Sequence, residues 1–396
     1  MSYFRKTLFW LHLAAGLIVG LVVAIMAFTG VVLAYEDEII AWTERDVRRV
    51  SVPAEAKPLP LDELIARVRA VAPSGAPDRI AVSRDPADAV AVFYNGNKTY
   101  YANPYTGKVI QAGPSPTRDF MNLMLGWHRQ LSLFTGKHRE TGQAITGACN
   151  AAFLALILTG AYLWWPRKWT WRIVRPLVSF VKAYGRFRDW NWHNVIGFWL
   201  LPVLIVISAS GLVISYRWAN TLINRVAGDP PPQSGRAAPA KQAAIASPQS
   251  APVLGYGAVL AHIQSAIPAW DTITIRVPAP RPAAPAANPA SPAPVPGPPP
   301  FNAWVRTHRN LIDFIPVQLG IDPITGEIIK RLGYAEQPPA IKLRLWFRFL
   351  HTGQALGKPG QFVAGLGCLG GLVLVYTGFA LSWRRFFPKR DRAKAT

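Results

Sequence analysis

Histidine is the residue type in this chain best suited to chemistry, and four of the seven border long apolar runs in two matched pairs. His12 opens one run within Trp10-Leu11-His12-Leu13, with Gly16 one turn later. His193 opens another within Trp192-His193-Asn194, with Gly197 one turn later. The same interval then leads from His12 to Thr29-Gly30 and from His193 to Ser210-Gly211. The second pair is His128, in Gly126-Trp127-His128-Arg129, and His351, in Leu350-His351-Thr352-Gly353, each ahead of a further apolar run. An imidazole inside a membrane is costly unless something binds it, so histidines repeated at matched depth predict a ligand set. Two such pairs on opposite membrane faces predict two haems with an electron path between them.

His12 and His193 suit a haem near the cytoplasmic face. Gly16 and Gly197, at i+4 on the same helix faces, leave room for a flat macrocycle against the backbone. The alternative is a pair of interfacial histidines in an aromatic belt with Trp10 and Trp192. His128 and His351 suit a second haem toward the outside, on amphipathic helices expected over 120–134 and 341–355; the alternative is exposure on an interfacial helix. Axial imidazoles on both faces leave iron six-coordinate and low-spin, which favours electron transfer over oxygen chemistry. Arg129 and Arg348 could pair with haem propionates or with lipid headgroups. His138 is a substitute outer ligand or a surface residue, and His262 and His308 are expected in core or surface roles.

The elements that must hold these residues follow from composition. The chain is basic, with a formal net charge of +22, yet half hydrophobic. Four stretches, Leu8 to Tyr35, Gly142 to Trp165, His193 to Tyr216 and Gly360 to Trp383, reach the roughly 20 apolar residues that cross a bilayer core. The first is too long for a signal h-region and lacks an A-x-A site, so it reads as an uncleaved anchor. Basic residues crowd 167–188 and the tail from Arg384 to Lys394, which predicts cytoplasmic termini and external long connections. The basic, Trp-rich loop from Arg167 to Trp192 is a docking face for an anionic electron donor or an ordinary positive-inside loop. No nucleic-acid partner is expected; membrane lipid is.

Only Cys149 and Cys368 occur, both in apolar segments, so neither an external disulfide nor a Cys-based metal or iron–sulfur site is expected. Without C-x-x-C-H, any haem must be held noncovalently. No G-x-G-x-x-G follows a strand, so electrons must come from a separate cytoplasmic reductase, a reduced flavin or membrane quinol. H-E-x-x-H and G-x-S-x-G are also missing, which leaves zinc-protease and serine-hydrolase chemistry without support.

An internal repeat organises the chain. Gly142-Gln143 begins a helix ending Leu158-Thr159-Gly160-Ala161-Tyr162-Leu163-Trp164-Trp165-Pro166-Arg167, and Gly360-Gln361 begins one ending Tyr376-Thr377-Gly378-Phe379-Ala380-Leu381-Ser382-Trp383-Arg384-Arg385. Asn103-Pro104-Tyr105-Thr106-Gly107 and Asp322-Pro323-Ile324-Thr325-Gly326 each predict a tight turn between two strands. Amphipathic helices are expected upstream, Leu61 to Val71 and Gly257 to Ile267. Gly228 to Pro252 and Pro278 to Pro300 are Pro/Ala/Ser-rich and read as solvated loops.

The Asn/Asp-Pro-x-Thr-Gly turn after a short helix resembles a PepSY domain. The stretch from His128 to Trp164-Trp165-Pro166-Arg167 resembles PepSY-associated transmembrane proteins, a group that includes iron-regulated bacterial inner-membrane proteins and di-haem ferric-siderophore reductases. The resemblance covers nearly the whole chain apart from the Pro/Ala insertions. The fold expected is membrane α-helical, four transmembrane helices in two tandem repeats, with two external α+β PepSY-like modules. The segments are transmembrane helix 1 (1–36), module 1 (37–116), amphipathic helix with transmembrane helix 2 (117–166) and a basic cytoplasmic loop (167–192). Transmembrane helix 3 (193–217), module 2 with its insertions (218–340), amphipathic helix with transmembrane helix 4 (341–385) and a cytoplasmic tail (386–396) follow.

The resemblance implies a multi-pass protein of the cell inner membrane with both termini cytoplasmic and the modules periplasmic. It implies two b-type haems, ligated here by His12 with His193 and His128 with His351, and electron transfer to a ferric siderophore received in a cup formed by the modules. Two other readings stand beside it: a haem-free PepSY regulator binding a peptide or protease, and a cytochrome b-type quinone oxidoreductase.

Overall fold

The computed structural model describes residues 3–72, 75–94, 98–112, 116–132, 136–229, 252–277, 298–307 and 315–388. The chain opens with α1 (Tyr3–Leu33), then α2 (Glu36–Thr43), α3 (Arg45–Arg48) and α4 (Leu61–Val71). Strands β1 (Arg79–Ser83), β2 (Val90–Tyr94), β3 (Lys98–Ala102) and β4 (Val109–Ala112) precede α5 (Pro116–Gln130) and α6 (Arg139–Trp164). Next come α7 (Trp171–Val178), α8 (Gly185–Ser215), α9 (Arg217–Ala227) and α10 (Tyr256–Ala266). The second strand set is β5 (Trp270–Arg276), β6 (Phe301–Thr307), β7 (Val317–Ile321) and β8 (Ile328–Leu332), before α11 (Pro339–His351) and α12 (Gly357–Phe386). These elements fall into two compact units, one helical and one built on a sheet.

In the helical unit, four helices are long and apolar enough to cross a membrane: Tyr3–Leu33, Gly136–Trp164, Gly185–Ser215 and Gln354–Phe386. α1 and α8 each pack against both α6 and α12, so α1 and α8 stand diagonally in a four-helix ring. Close approach depends on small residues, as expected where lipid removes the hydrophobic drive between helices. The ring of Phe379 fills the space beside Gly20, Val203 lies against Gly367, and Leu200 against Gly370. Direction alternates around the ring. The Arg5 guanidinium near the start of α1 donates to Leu163 O at the end of α6, 2.5 Å away. Arg385 at the end of α12 lies over the Phe9 and Trp10 rings at 4.9 and 4.7 Å.

The sequence places His12 and His193 at helix starts; the structure places both well inside. α8 begins at Gly185, about two turns before His193, and α7 occupies part of the stretch expected as loop. Two polar residues of that stretch have partners within the fold. Asp189 is fully buried, with Arg188 at 2.7 Å and Arg384 at 3.2 Å. Asn191 accepts from Val181 N and donates to Pro176 O and Ser179 O, tying the connection onto α8.

The other unit joins the strands of the two expected modules. Its strands form one antiparallel eight-stranded sheet, β4-β3-β2-β1-β5-β6-β7-β8. β1 and β5 pair from Arg79↔Arg276 to Ser83↔Thr272, which satisfies backbone groups that two separate sheets would leave on open edges. α4 packs Leu64, Ile65 and Val68 onto Ile80, Val92 and Tyr100; α10 packs Val259 and Ile263 onto Ile273, Ile275 and Val305. Each such side chain is buried at a gain of roughly 1.5–3 kcal/mol. Asp62 of α4 accepts from Tyr256 N and Gly257 N at 2.7 and 2.9 Å, capping α10. Both expected turns form. Asn103 Oδ1 accepts from Tyr105 N and Thr106 N, and Asp322 Oδ1 from Ile324 N and Thr325 N. Gly107 and Gly326 take φ of +70° and +75°.

On the sheet's opposite face, the buried Glu44 and Tyr101 meet the half-buried Arg118. Tyr101 Oη donates to Glu44 at 2.8 Å, and Arg118 donates through Nε and Nη2 at 2.5 and 2.7 Å. Burial raises the Glu44 carboxyl, but the hydrogen bonds from Arg118 and Tyr101 outweigh it and hold the group below the ordinary carboxylate range. Burial and the neighbouring Glu44 charge push the Tyr101 phenol up to about 12.

Candidate cofactor site

Two short amphipathic helices present His128 and His351. α5 buries Met121 and Met124, carries His128 in its last turn, and is followed by Leu131 and Ser132 at positive φ. α11 ends on His351, with Gly353 two residues on at φ +77°. His128 Nδ1 lies 2.9 Å from Met26 O and 3.0 Å from Thr29 Oγ1 of α1. His351 Nδ1 lies 2.9 Å from Ile207 O and 3.2 Å from Ser210 Oγ of α8. The two rings lie edge-on to one another, with centroids 6.1 Å apart and planes at 63°. Both line a cavity of about 190 Å³ with Met26 and Ala27 of α1, Gln143, Thr146 and Asn150 of α6, Ser208 and Gly211 of α8, and Cys368 and Gly371 of α12. Arg129 also lines it.

The other pair sits nearer the opposite end of the ring. His12 Nδ1 lies 2.9 Å from Thr159 Oγ1 of α6, and His193 Nδ1 2.8 Å from Thr377 Oγ1 of α12. From His12 to Thr29, which contacts His128, α1 rises roughly 25 Å at about 1.5 Å per residue.

All four imidazoles rest on a hydroxyl residue followed by glycine. A Cβ on Gly30, Gly160, Gly211 or Gly378 would stand 3.5, 3.3, 3.3 or 3.8 Å from Cε1 of His128, His12, His351 or His193 respectively. The spacing of Thr29-Gly30 and Ser210-Gly211 is visible in the sequence. That each pair serves a histidine on another helix is not, because helices far apart in sequence must first be brought together.

The donor set can be tested against a metal or haem. Among the described residues no group of three or more His, Cys, Asp or Glu side chains could hold a bare metal ion. Two opposed imidazoles occupy only the axial positions of an octahedral ion and need a planar tetradentate ligand between them. Two iron–nitrogen bonds of about 2 Å, plus roughly 1.1 Å from each nitrogen to its ring centre, put the centroids about 6 Å apart. The His128–His351 spacing fits that requirement, and Nδ1 engagement of all four rings leaves each Nε2 for a metal.

The remaining candidates lie elsewhere. His138 is exposed, immediately before α6, and is not among the residues lining the cavity. His262 packs over Gly326 in the sheet unit, as Arg67 packs over Gly107. Arg348 lies over the Phe349 ring at 5.8 Å. His308, and nearly all of the Pro/Ala-rich segments, fall outside the described residues. Gly16 has no atom within 4 Å of where a Cβ would stand, and Gly197 has only Leu374 Cδ2 at 3.7 Å.

No curated protein matches the chain. The family model for the PepSY-associated TM region matches residues 9–385, nearly the entire length, and the protein therefore belongs to that family.

Proposed function

We propose that this protein is a di-haem b-type electron-transfer protein of the bacterial inner membrane that reduces ferric iron in a periplasmic siderophore, releasing ferrous iron. The observation that carries the reading is the His128–His351 pair, which lines one cavity with ring centroids 6.1 Å apart, a spacing that would suit two imidazoles holding one haem iron. When bound, two haems would supply one-electron transfer between a reductant on one side of the membrane and a ferric chelate on the other. The chain's own residues hold and orient. His128 and His351 would ligate the outer haem, and His12 and His193 the inner one. Arg129 offers a cation to a propionate. Asn150 Nδ2 donates to Ser208 O at 2.9 Å and helps fix the cavity wall beside Gly211.

The basic flanks support cytoplasmic termini, with the sheet unit periplasmic. The donor would then be a cytoplasmic reductase, reduced flavin or membrane quinol. The test is rapid mixing of dithionite-reduced protein with a ferric siderophore and a ferrous-iron trap. Reoxidation with matching ferrous release is expected, and His351→Ala should block it while the inner haem stays reducible. Reoxidation by quinone but by no ferric chelate would overturn the substrate assignment.

A further inference from the structure

Between Glu140 and Asp189 the chain carries no carboxylate, yet α7 and its flanks carry Arg167, Lys168, Arg172, Arg175 and Lys182. All five are exposed, and no side chain or backbone carbonyl pairs with any of them among the described residues. Charge alone would make this an ordinary basic connection, but its backbone is held in place. The last turn of an α-helix leaves carbonyls without intrahelical partners. Here four in succession accept from side chains of the neighbouring long helices. Asn191 Nδ2 donates to Pro176 O at 2.6 Å and to Ser179 O at 3.0 Å. Trp164 Nε1 donates to Leu177 O at 3.3 Å, and Trp199 Nε1 to Val178 O at 2.8 Å. α7 is therefore fixed to α6 and α8.

Pinned this way, α7 presents three faces. Val174, Leu177 and Val178, at helical spacing, form the stripe toward α8, with Leu177 buried. Arg172 and Arg175, three residues apart, are neighbours on a second face beside the exposed Trp171. Ile173 is exposed on the third, and Phe180 is exposed just past the helix end. We propose that this helix binds an anionic phospholipid, with Arg172, Arg175 and Lys168 on the phosphate and Ile173 and Phe180 along the acyl chains. A soluble anion would need only the cations. Exposed apolar side chains beside them fit a ligand charged at one end and apolar at the other. A zwitterionic headgroup brings its own ammonium, which competes for the phosphate, so a net negative headgroup gains more from unpaired arginines. The site is independent of any haem.

The experiment uses the detergent-purified full-length protein, stripped of endogenous lipid and titrated with dioleoylphosphatidylglycerol or dioleoylphosphatidylcholine. Native mass spectrometry counts the bound lipid. The wild-type chain should retain the anionic lipid over the zwitterionic one, with a preference on the order of tenfold from two such cations near a headgroup. Arg172→Gln combined with Arg175→Gln should remove most of that preference, whereas Arg172→Lys with Arg175→Lys should keep it. Neither arginine is buried, so both pairs should melt with the wild type. Equal retention of the two lipids by the wild-type chain, an undiminished preference in the glutamine pair, or its loss in both pairs alike would overturn the site. A glutamine pair that keeps its lipid preference but loses binding of flavin mononucleotide would give this face to a soluble anionic donor instead.

Discussion

Replacing Gly16 with alanine separates a bundle that merely packs from one built around a macrocycle. Gly16 lies one turn beyond His12 on the same helix face, and the protein itself puts nothing within 4 Å of a Cβ there. On packing alone the change is favourable, because alanine gains about 1 kcal/mol over glycine in a helix interior. If a porphyrin lies against that backbone, the methyl group enters its contact layer. Overpacking of that kind costs roughly 1–3 kcal/mol. Since about 1.4 kcal/mol is a factor of ten, inner-haem affinity should fall between roughly fivefold and a hundredfold. Haem-depleted Gly16→Ala should therefore unfold at or above the wild-type temperature, yet titrate with haem to a weaker inner site and an unchanged outer one. Haem titration followed by absorbance, with thermal denaturation of the depleted protein, measures both. Inner-haem affinity equal to or above wild type would refute a macrocycle on this face.

His128→Ala or His351→Ala should remove the outer haem and spare the inner, whereas His138→Ala and His262→Ala should change neither spectrum. Arg118→Ala leaves the Glu44 carboxylate buried without its cation and should destabilise the sheet unit by about 2 kcal/mol or more, read by chemical denaturation. The stability that Glu44 contributes is present above its unfolded pKa and lost as pH falls through its lower folded value. Tyr101 contributes below about pH 10 and loses this between there and about 12. Glu44→Gln should flatten the acid limb of a melting-temperature profile. Asp62→Ala should cost about 1 kcal/mol by uncapping α10, in the same denaturation assay.

Local pattern made much of this architecture legible. Apolar length marked the four long helices, helical spacing marked α4 and α10, and Asn/Asp-Pro-x-Thr-Gly marked both hairpins, since each signal is a property of a few adjacent residues. The joining of β1 to β5 was not legible, because strand pairing between distant segments leaves no local trace. The true start of α8 was hidden for a related reason. Asp189 and Asn191 look like loop residues until Arg384 and the Pro176–Val181 backbone are placed beside them. The four histidines stood out by repetition. Their supports at Met26, Ile207, Thr159 and Thr377 needed the helix ring itself.

Whether the histidine pairs hold two haems can be read from a pyridine haemochrome assay on purified, haem-replete protein. Close to two noncovalent haems per chain are expected, falling to about one in His128→Ala and in His12→Ala and to none when the two changes are combined. A value near zero in the wild-type chain, or two haems retained in the double variant, would contradict that expectation.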